Sequence, residues 1–309
     1  MIEILLASYN SEKYIGEQIE SILGQTAQEW HLTIQDDQSS DRTAEIVRSY
    51  QAAYPEKISF CINEKNLGGS KYNFYDLLLK ADADYAMTCD HDDVWLPDKV
   101  ERTFAAMLDL EQQYGKNVPL LVHTDLKVAD AELKVVAGSM FFQQNLDPGR
   151  KSLGELLVQN NVTGCTMMVN RSLLALLSPK IPPNLIMHDW WCGLVAAAFG
   201  AIGYVSEPTI LYRQHGENQV GAKNVRSFGY NAKRMAKFQN ARRVLMETYL
   251  QAGDFAGCFK DKLTPDQLEM TLAYADMGSY GKFRKIRTIQ EYRLWKNGFT
   301  RRLGQFFFC

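Results

Sequence analysis

The stretch TCDHDDVWLPDKV, residues 88–100, sets three carboxylates, Asp90, Asp92 and Asp93, and the imidazole of His91 between two apolar runs. Carboxylates about 4 Å apart repel by roughly 4 kcal/mol at an effective dielectric near 20, so acids gathered in this way call for a counter-charge. Acids one residue apart at a strand end can share a divalent cation. Oxygen donors suit Mg2+ or Mn2+, which keep several waters and bind substrate phosphates at the same time. A solvated acidic turn beside the helix start at Pro97-Asp98 is the plain alternative. The apolar flanks speak against it, because they place the cluster at a buried edge.

Two further clusters carry polar groups suited to binding or proton transfer. In QDDQSSD, residues 35–41, Asp36 and Asp37 stand at a strand end where they can accept hydrogen bonds from a base or sugar, and we assign Asp37 to binding. Asp41 precedes an apolar-periodic segment and reads as a helix cap. In HDWW, residues 188–191, Asp189 is either the cap of the following helix or an acid available for proton transfer, and the residues alone leave both readings open.

The elements that position these groups follow from periodicity. Ile2 to Ala7 is a continuous apolar run, the mark of a strand buried on both faces, and Ile15, Ile19, Ile22 and Leu23 then repeat at helical spacing. Asn10 or Ser11 is expected to cap that helix. The alternation continues with a strand at 30–35, a helix opened by Asp41, a strand at 58–62, a glycine turn at Gly68 and Gly69, a helix through Phe74, Leu77 and Leu78, and a strand at 85–89. Such an order predicts an α/β fold, a Rossmann-like and mostly parallel sheet with helices on both faces. Ligands bind such sheets beyond the carboxyl ends of the strands. Ser8-Tyr9-Asn10, Asp36-Asp37, Asn66 to Ser70 and Asp90 to Asp93 all fall there.

Downstream we expect strands at 118–125, 127–136 and 164–169, a short helix at 153–159, a helix at 189–199, and strands at 202–205 and 209–212. Beyond about residue 222 the chain reads as helices, with a capped start at Thr264-Pro265-Asp266-Gln267.

LLASYN, QDDQSSD, NEKNLGGS and DHDDVWLP, in this order and at these intervals, resemble glycosyltransferase family 2, the inverting nucleotide-sugar enzymes of the GT-A fold. The resemblance covers roughly residues 1–215. It implies that Ala7, Tyr9 and Asp37 hold the nucleotide base and that Asp90 and Asp92, as the DxD motif, contact the ribose and the metal-diphosphate, with Asp93 beside them. HDWW is similar to the family's motif for the general base, which makes Asp189 the base. His188 stands where the family more often has Glu. In LYRQHGEN the resemblance makes His215 a candidate ligand for the metal or diphosphate and Arg213 a candidate phosphate contact, with a structural histidine as the alternative for His215. In NVTGCTMM, Gly164-Cys165 is similar to an acceptor-side segment, with Cys165 read as a small buried residue.

Within the family the combination looks most like bacterial rhamnosyltransferases that build cell-wall polysaccharide on a lipid carrier. That implies Mg2+ or Mn2+ as cofactor, dTDP-L-rhamnose as donor and a lipid-linked glycan as acceptor. A UDP-hexose enzyme of the same family and a non-catalytic nucleotide-sugar-binding subunit are the alternatives. An aspartate-nucleophile phosphotransferase also wants DxD after a strand, but Asp93 occupies the place where it needs Thr or Val.

Composition sets the frame. The 309 residues carry 34 basic and 36 acidic side chains, a balance that argues against nucleic-acid binding. The six cysteines show no CxxC pair, which fits reduced thiols and a cytoplasmic protein. No apolar run reaches the 18 or so residues of a membrane span, and the start of the chain does not read as a signal peptide. We expect a catalytic domain over 1–221 and a helical C-terminal extension over 222–309. Its segment 282–308 interleaves Lys282, Arg284, Lys285, Arg287, Arg293, Lys296, Arg301 and Arg302 with aromatics. That pattern suits either peripheral contact with the inner face of the cell membrane or a helix packed with its basic face in water.

Overall fold

The computed structural model describes residues 1–215 and 238–308. Strands β1 (Ile2–Ser8), β2 (Trp30–Asp36), β3 (Ile58–Ile62) and β4 (Tyr85–Cys89) pair in parallel in the order β3-β2-β1-β4. Past β4 the sheet continues through β8 (Met168–Asn170), β6 (Leu120–Ala129), β9 (Ala201–Arg213) and β5 (Val94–Trp95), with β7 (Val135–Ala137) hung on β6. β8 runs antiparallel to β4 and β6, β6 and β9 are parallel, and β5 and β7 are antiparallel additions. The fold is mixed α/β with a mostly parallel sheet, as expected.

Period-two alternation along β1 divides the interior into two layers. Ile4 and Leu6 face a cluster with Leu32, Ile34 and Met87 under α1 (Ile15–Leu23), α2 (Thr43–Ala53) and α4 (Lys99–Tyr114). Leu5 and Ala7 face the other cluster, under α3 (Ser70–Lys80), α6 (Leu153–Val158) and α8 (His188–Phe199). Gly68 and Gly69 open α3 with φ of 87° and 150°, a region closed to most side chains. α8 is buried from His188 to Ala196. Its length runs between the sheet and α9 (Phe238–Phe259), whose Phe255 and Phe259 meet Trp191 at ring distances of 5.5 and 6.3 Å. Of the C-terminal helices, α9, α10 (Pro265–Ala275) and α11 (Lys282–Glu291) therefore contribute to the same apolar cluster as the catalytic half, and α12 (Phe299–Phe308) follows them. The expected boundary at 221/222 lies outside the described residues.

Four local expectations change. The two strands expected over 118–136 are one strand, β6, followed by a turn and the short β7. Those expected at 202–205 and 209–212 are also one, β9, in which a register shift between Thr124 and Asp125 accommodates Ser206 and Glu207 ahead of Pro208. Residues 164–166 form a 3-10 turn rather than a strand, because Thr166 and Met167 donate their N–H groups to Thr163 and Gly164. Neither Asn10 nor Ser11 caps α1 with its side chain. Asn10 sits at φ 46° and its Oδ1 accepts from Ser40 N, while the Ser11 carbonyl receives the Tyr14 and Ile15 amides.

Candidate active site

β4 ends at Cys89 and β5 begins at Val94, so the four residues between them are held at both ends by sheet. This explains the apolar flanks. Trp95 N donates to Ser21 Oγ, and buried Gln25 bonds the Leu96 carbonyl and the Val100 amide, which fixes the start of α4. Within the loop, Asp93 is fully buried, and its Oδ1 accepts the Arg213 amide at 3.0 Å. Asp92 Oδ2 lies 2.8 Å from His215 Nε2. Ligand atoms of Asp90, Asp93 and Cys165 all lie within 4.8 Å of one another.

Burial, then Asp92 and Asp189, push Asp90 up to about 8. Burial, then Asp92 and Asp90, push Asp93 well above the usual carboxylate range. Acids that hold protons for want of a counter-charge fit a divalent cation that would displace those protons. The oxygen donors and the His215 imidazole suit a hard cation. Cys165 suits it less, since burial and the two acids push its thiol well above its ordinary range and keep it protonated.

Lys99, not among the residues expected from the sequence, supplies part of the counter-charge. It is fully buried, its Nζ stands 4.6 Å over the Trp95 ring, and it has no hydrogen-bond partner among the described residues. Burial lowers it to about 8 against the pull of Cys165, Cys89 and Asp93. A sequence signal existed: Lys99 shares the i, i+4, i+8 face of α4 with Thr103 and Met107, both buried.

The other expected residues lie along the same edge. The Ala7 carbonyl is 3.2 Å from His91 Nδ1, and Tyr9 is half-exposed just beyond β1. Asp37 is buried and its Oδ1 accepts from Asn63 Nδ2 and Leu67 N, both at 2.8 Å, so it also ties β2 to the glycine turn. Arg213 is buried behind the acidic loop. Its Nε donates to the Asp92 carbonyl, Nη1 to the Ala131 carbonyl and Nη2 to Glu17. In this arrangement the guanidinium braces the loop.

Asp189 opens α8 and is close enough to Asp90 to raise its proton affinity. Burial pushes Asp189 up to about 6, opposed by hydrogen bonds from Trp190 N, the Asn160 side chain and the Gly164 backbone. A carboxylate poised near neutral pH is what general-base chemistry needs. Neighbouring His188 is buried, stacks on Phe74 at a ring distance of 4.4 Å, and has no hydrogen-bond partner on either nitrogen among the described residues. Gly164 joins the two halves of the site. Its carbonyl receives Thr88 Oγ1 from β4, and a Cβ there would lie 2.8 Å from His188 Nε2 and 3.5 Å from Asp189 Oδ2.

An acid cluster at the carboxyl edge of a mostly parallel sheet, with a buried carboxylate on a helix start close to it, sits where such sheets bind ligands, and the fold is the GT-A fold. Residues 3–115 match the model of "Glycosyl transferase family 2"; they are a family 2 domain, and the chain is a glycosyltransferase. Among its relatives, the dTDP-rhamnosyl transferase RfbG of Shigella flexneri is 29% identical over 246 residues, 76% of this chain and 79% of that protein. Two solved structures share the fold. TarS of S. aureus (residues 1–349), in complex with UDP-GlcNAc, superposes with a TM-score of 0.58 at 16% identity over 94% of this chain and 80% of that one. The mannosyltransferase PcManGT of Pyrobaculum calidifontis, in complex with GDP-Man and Mn2+, gives 0.53 at 14% over 94% and 73%. No helix of the described residues is long and apolar enough to cross a membrane.

Proposed function

We propose that the protein transfers L-rhamnose, with inversion, from dTDP-L-rhamnose to a lipid-linked or growing cell-wall polysaccharide. The transfer takes place at the cytoplasmic face of the membrane. The observation that carries this reading is the convergence of Asp189, a base tuned near pH 6, on the acidic loop of Asp90, Asp92 and Asp93. The similarity to RfbG supports the choice of donor. Asp189 takes the proton of an acceptor hydroxyl; that oxygen attacks the anomeric carbon, and the bond from this carbon to the diphosphate oxygen breaks on the opposite face. Asp92, Asp93 and His215 would hold Mg2+ or Mn2+, which when bound neutralises the departing diphosphate. Asp90 stands beside the ribose and diphosphate, Ala7, Tyr9 and Asp37 around the base, and Arg213 contributes positive charge behind the loop. We take 1–221 as the catalytic domain and 222–309 as its C-terminal extension, helical where described, over 238–308.

A UDP-hexose donor is the second reading, since the TarS complex with UDP-GlcNAc shares the fold. Nucleoside diphosphate release from dTDP-rhamnose, UDP-glucose and UDP-galactose, measured with Mn2+ and membrane extract as acceptor source, separates the two. Preference for dTDP-rhamnose is the expected result. Turnover of a UDP-sugar alone would replace the donor, and no release from any of them would leave only a binding subunit.

A further inference from the structure

The last 28 residues carry eight basic side chains and one acidic one, against 26 basic and 35 acidic in the preceding 281. Positive charge is thus concentrated on a chain that is otherwise acidic. The structure places most of this segment in α11 and α12 and leaves their aromatics outside: Phe283 is 93% exposed, Phe299 79% and Phe307 60%, with Leu303 and Phe306 also in solvent. Ile289 of α11 and Leu294 just beyond it sit in the core, and buried Gln305 of α12 bonds the Lys296 amide and the Leu294 carbonyl, so the pair is held without these side chains. Exposed basic groups, Lys282, Arg284, Arg287 and Arg302, stand among them, and the Lys282 ammonium lies 5.4 Å from the centre of the Phe306 ring.

The helices rest on a particular part of the catalytic half. Arg301 donates to the carbonyls of Asn145 and Gln144, Asn297 N donates to Gln159 Oε1, and Arg150 donates to the Trp295 carbonyl. The residue after Gln159 is Asn160, whose side chain bonds Asp189. The cationic, aromatic face is therefore built onto the segment that holds the base.

We propose that α11 and α12 form a docking surface for a bilayer containing anionic lipids, and that docking brings the acceptor side of the site to the membrane. Lysine and arginine beside exposed phenylalanine are the side chains that bind at an anionic interface, the charges at the headgroups and the rings among the upper acyl carbons. A symmetric contact with a second copy would set basic face against basic face. Delivery of the acceptor rests on the lipid-linked reading above; membrane binding does not, so the two can fail separately.

The test is sedimentation of the full chain with vesicles of phosphatidylcholine alone and of phosphatidylcholine mixed with phosphatidylglycerol. Binding only to the mixed vesicles, weakened by salt, is expected. Lys282→Gln, Arg284→Gln and Arg287→Gln together should weaken it on the order of 100-fold. Phe283→Ser, Phe299→Ser and Phe307→Ser should weaken it about tenfold or more. Both variants should retain the wild-type affinity for dTDP, which shows that the catalytic half is folded. Equal binding to neutral and anionic vesicles, no binding at all, or variants that sediment like wild type would overturn the proposal. So would a phenylalanine-dependent dimer, or capture of an RNA oligonucleotide, in the absence of vesicle binding.

Discussion

Asp93→Asn removes one negative charge from the acidic loop while keeping an oxygen for the Arg213 amide, which Asp93 Oδ1 accepts at 3.0 Å. Asp90 and Asp93 hold protons more tightly in the folded chain than the ordinary carboxylate value near 3.9. Their contribution to stability is therefore complete below about pH 4 and is lost as pH rises toward about 8, where Asp90 titrates. With both ionised and ligand atoms no more than 4.8 Å apart, the repulsion is about 3 kcal/mol at an effective dielectric near 20. The variant, free of cation at pH 8, should unfold about 5 °C higher than the wild type, and the gap should narrow toward pH 5. Mn2+ should reverse the order, raising the wild type and leaving the variant nearly unchanged. Thermal unfolding with chelator or Mn2+ at the two pH values measures all four states. If the chelated variant at pH 8 is less stable than the wild type, the loop is not under charge repulsion and the reasoning is wrong.

Three other outcomes follow from the same geometry. Asp189→Asn should abolish transfer with donor affinity retained, and wild-type kcat/KM should fall about tenfold per pH unit below about 6, where Asp189 becomes protonated; a flat profile to pH 5 would remove Asp189 as the base. Gly164→Ala places a methyl 2.8 Å from His188 Nε2, and the ring is backed by Phe74, so kcat should drop by about tenfold or more at unchanged donor affinity; steady-state kinetics would decide. Phe255→Ala, in the layer between α8 and α9, should cost about 3–5 kcal/mol and lower a single unfolding transition; two separate transitions in denaturant would show that the halves unfold independently.

The first half of the fold was legible because each buried strand is a short apolar run followed by a helical repeat, as in Ile2 to Leu23. The second half was less so, since β6 and β9 are long strands interrupted by polar residues or proline. Asp125 sits inside β6 because its buried carboxylate receives the Leu126 and Met140 amides, a tertiary satisfaction that no local pattern announces. At the site, Asp90, Asp92, Asp93 and Asp189 stood out through spacing and resemblance. Cys165 is legible only as a small buried residue and Lys99 not at all, because a lone thiol and a lysine at a helix start look ordinary until the fold brings them against the acids.

The packing of Trp191 against Phe255 and Phe259 has a consequence for engineering. A chimera that kept this catalytic half and borrowed helices from another transferase would need to reproduce those ring contacts, or the helix presenting Asp189 would tilt. Acceptor preference is then best altered through the segment around Asn160 and Gly164, leaving the aromatic seam intact.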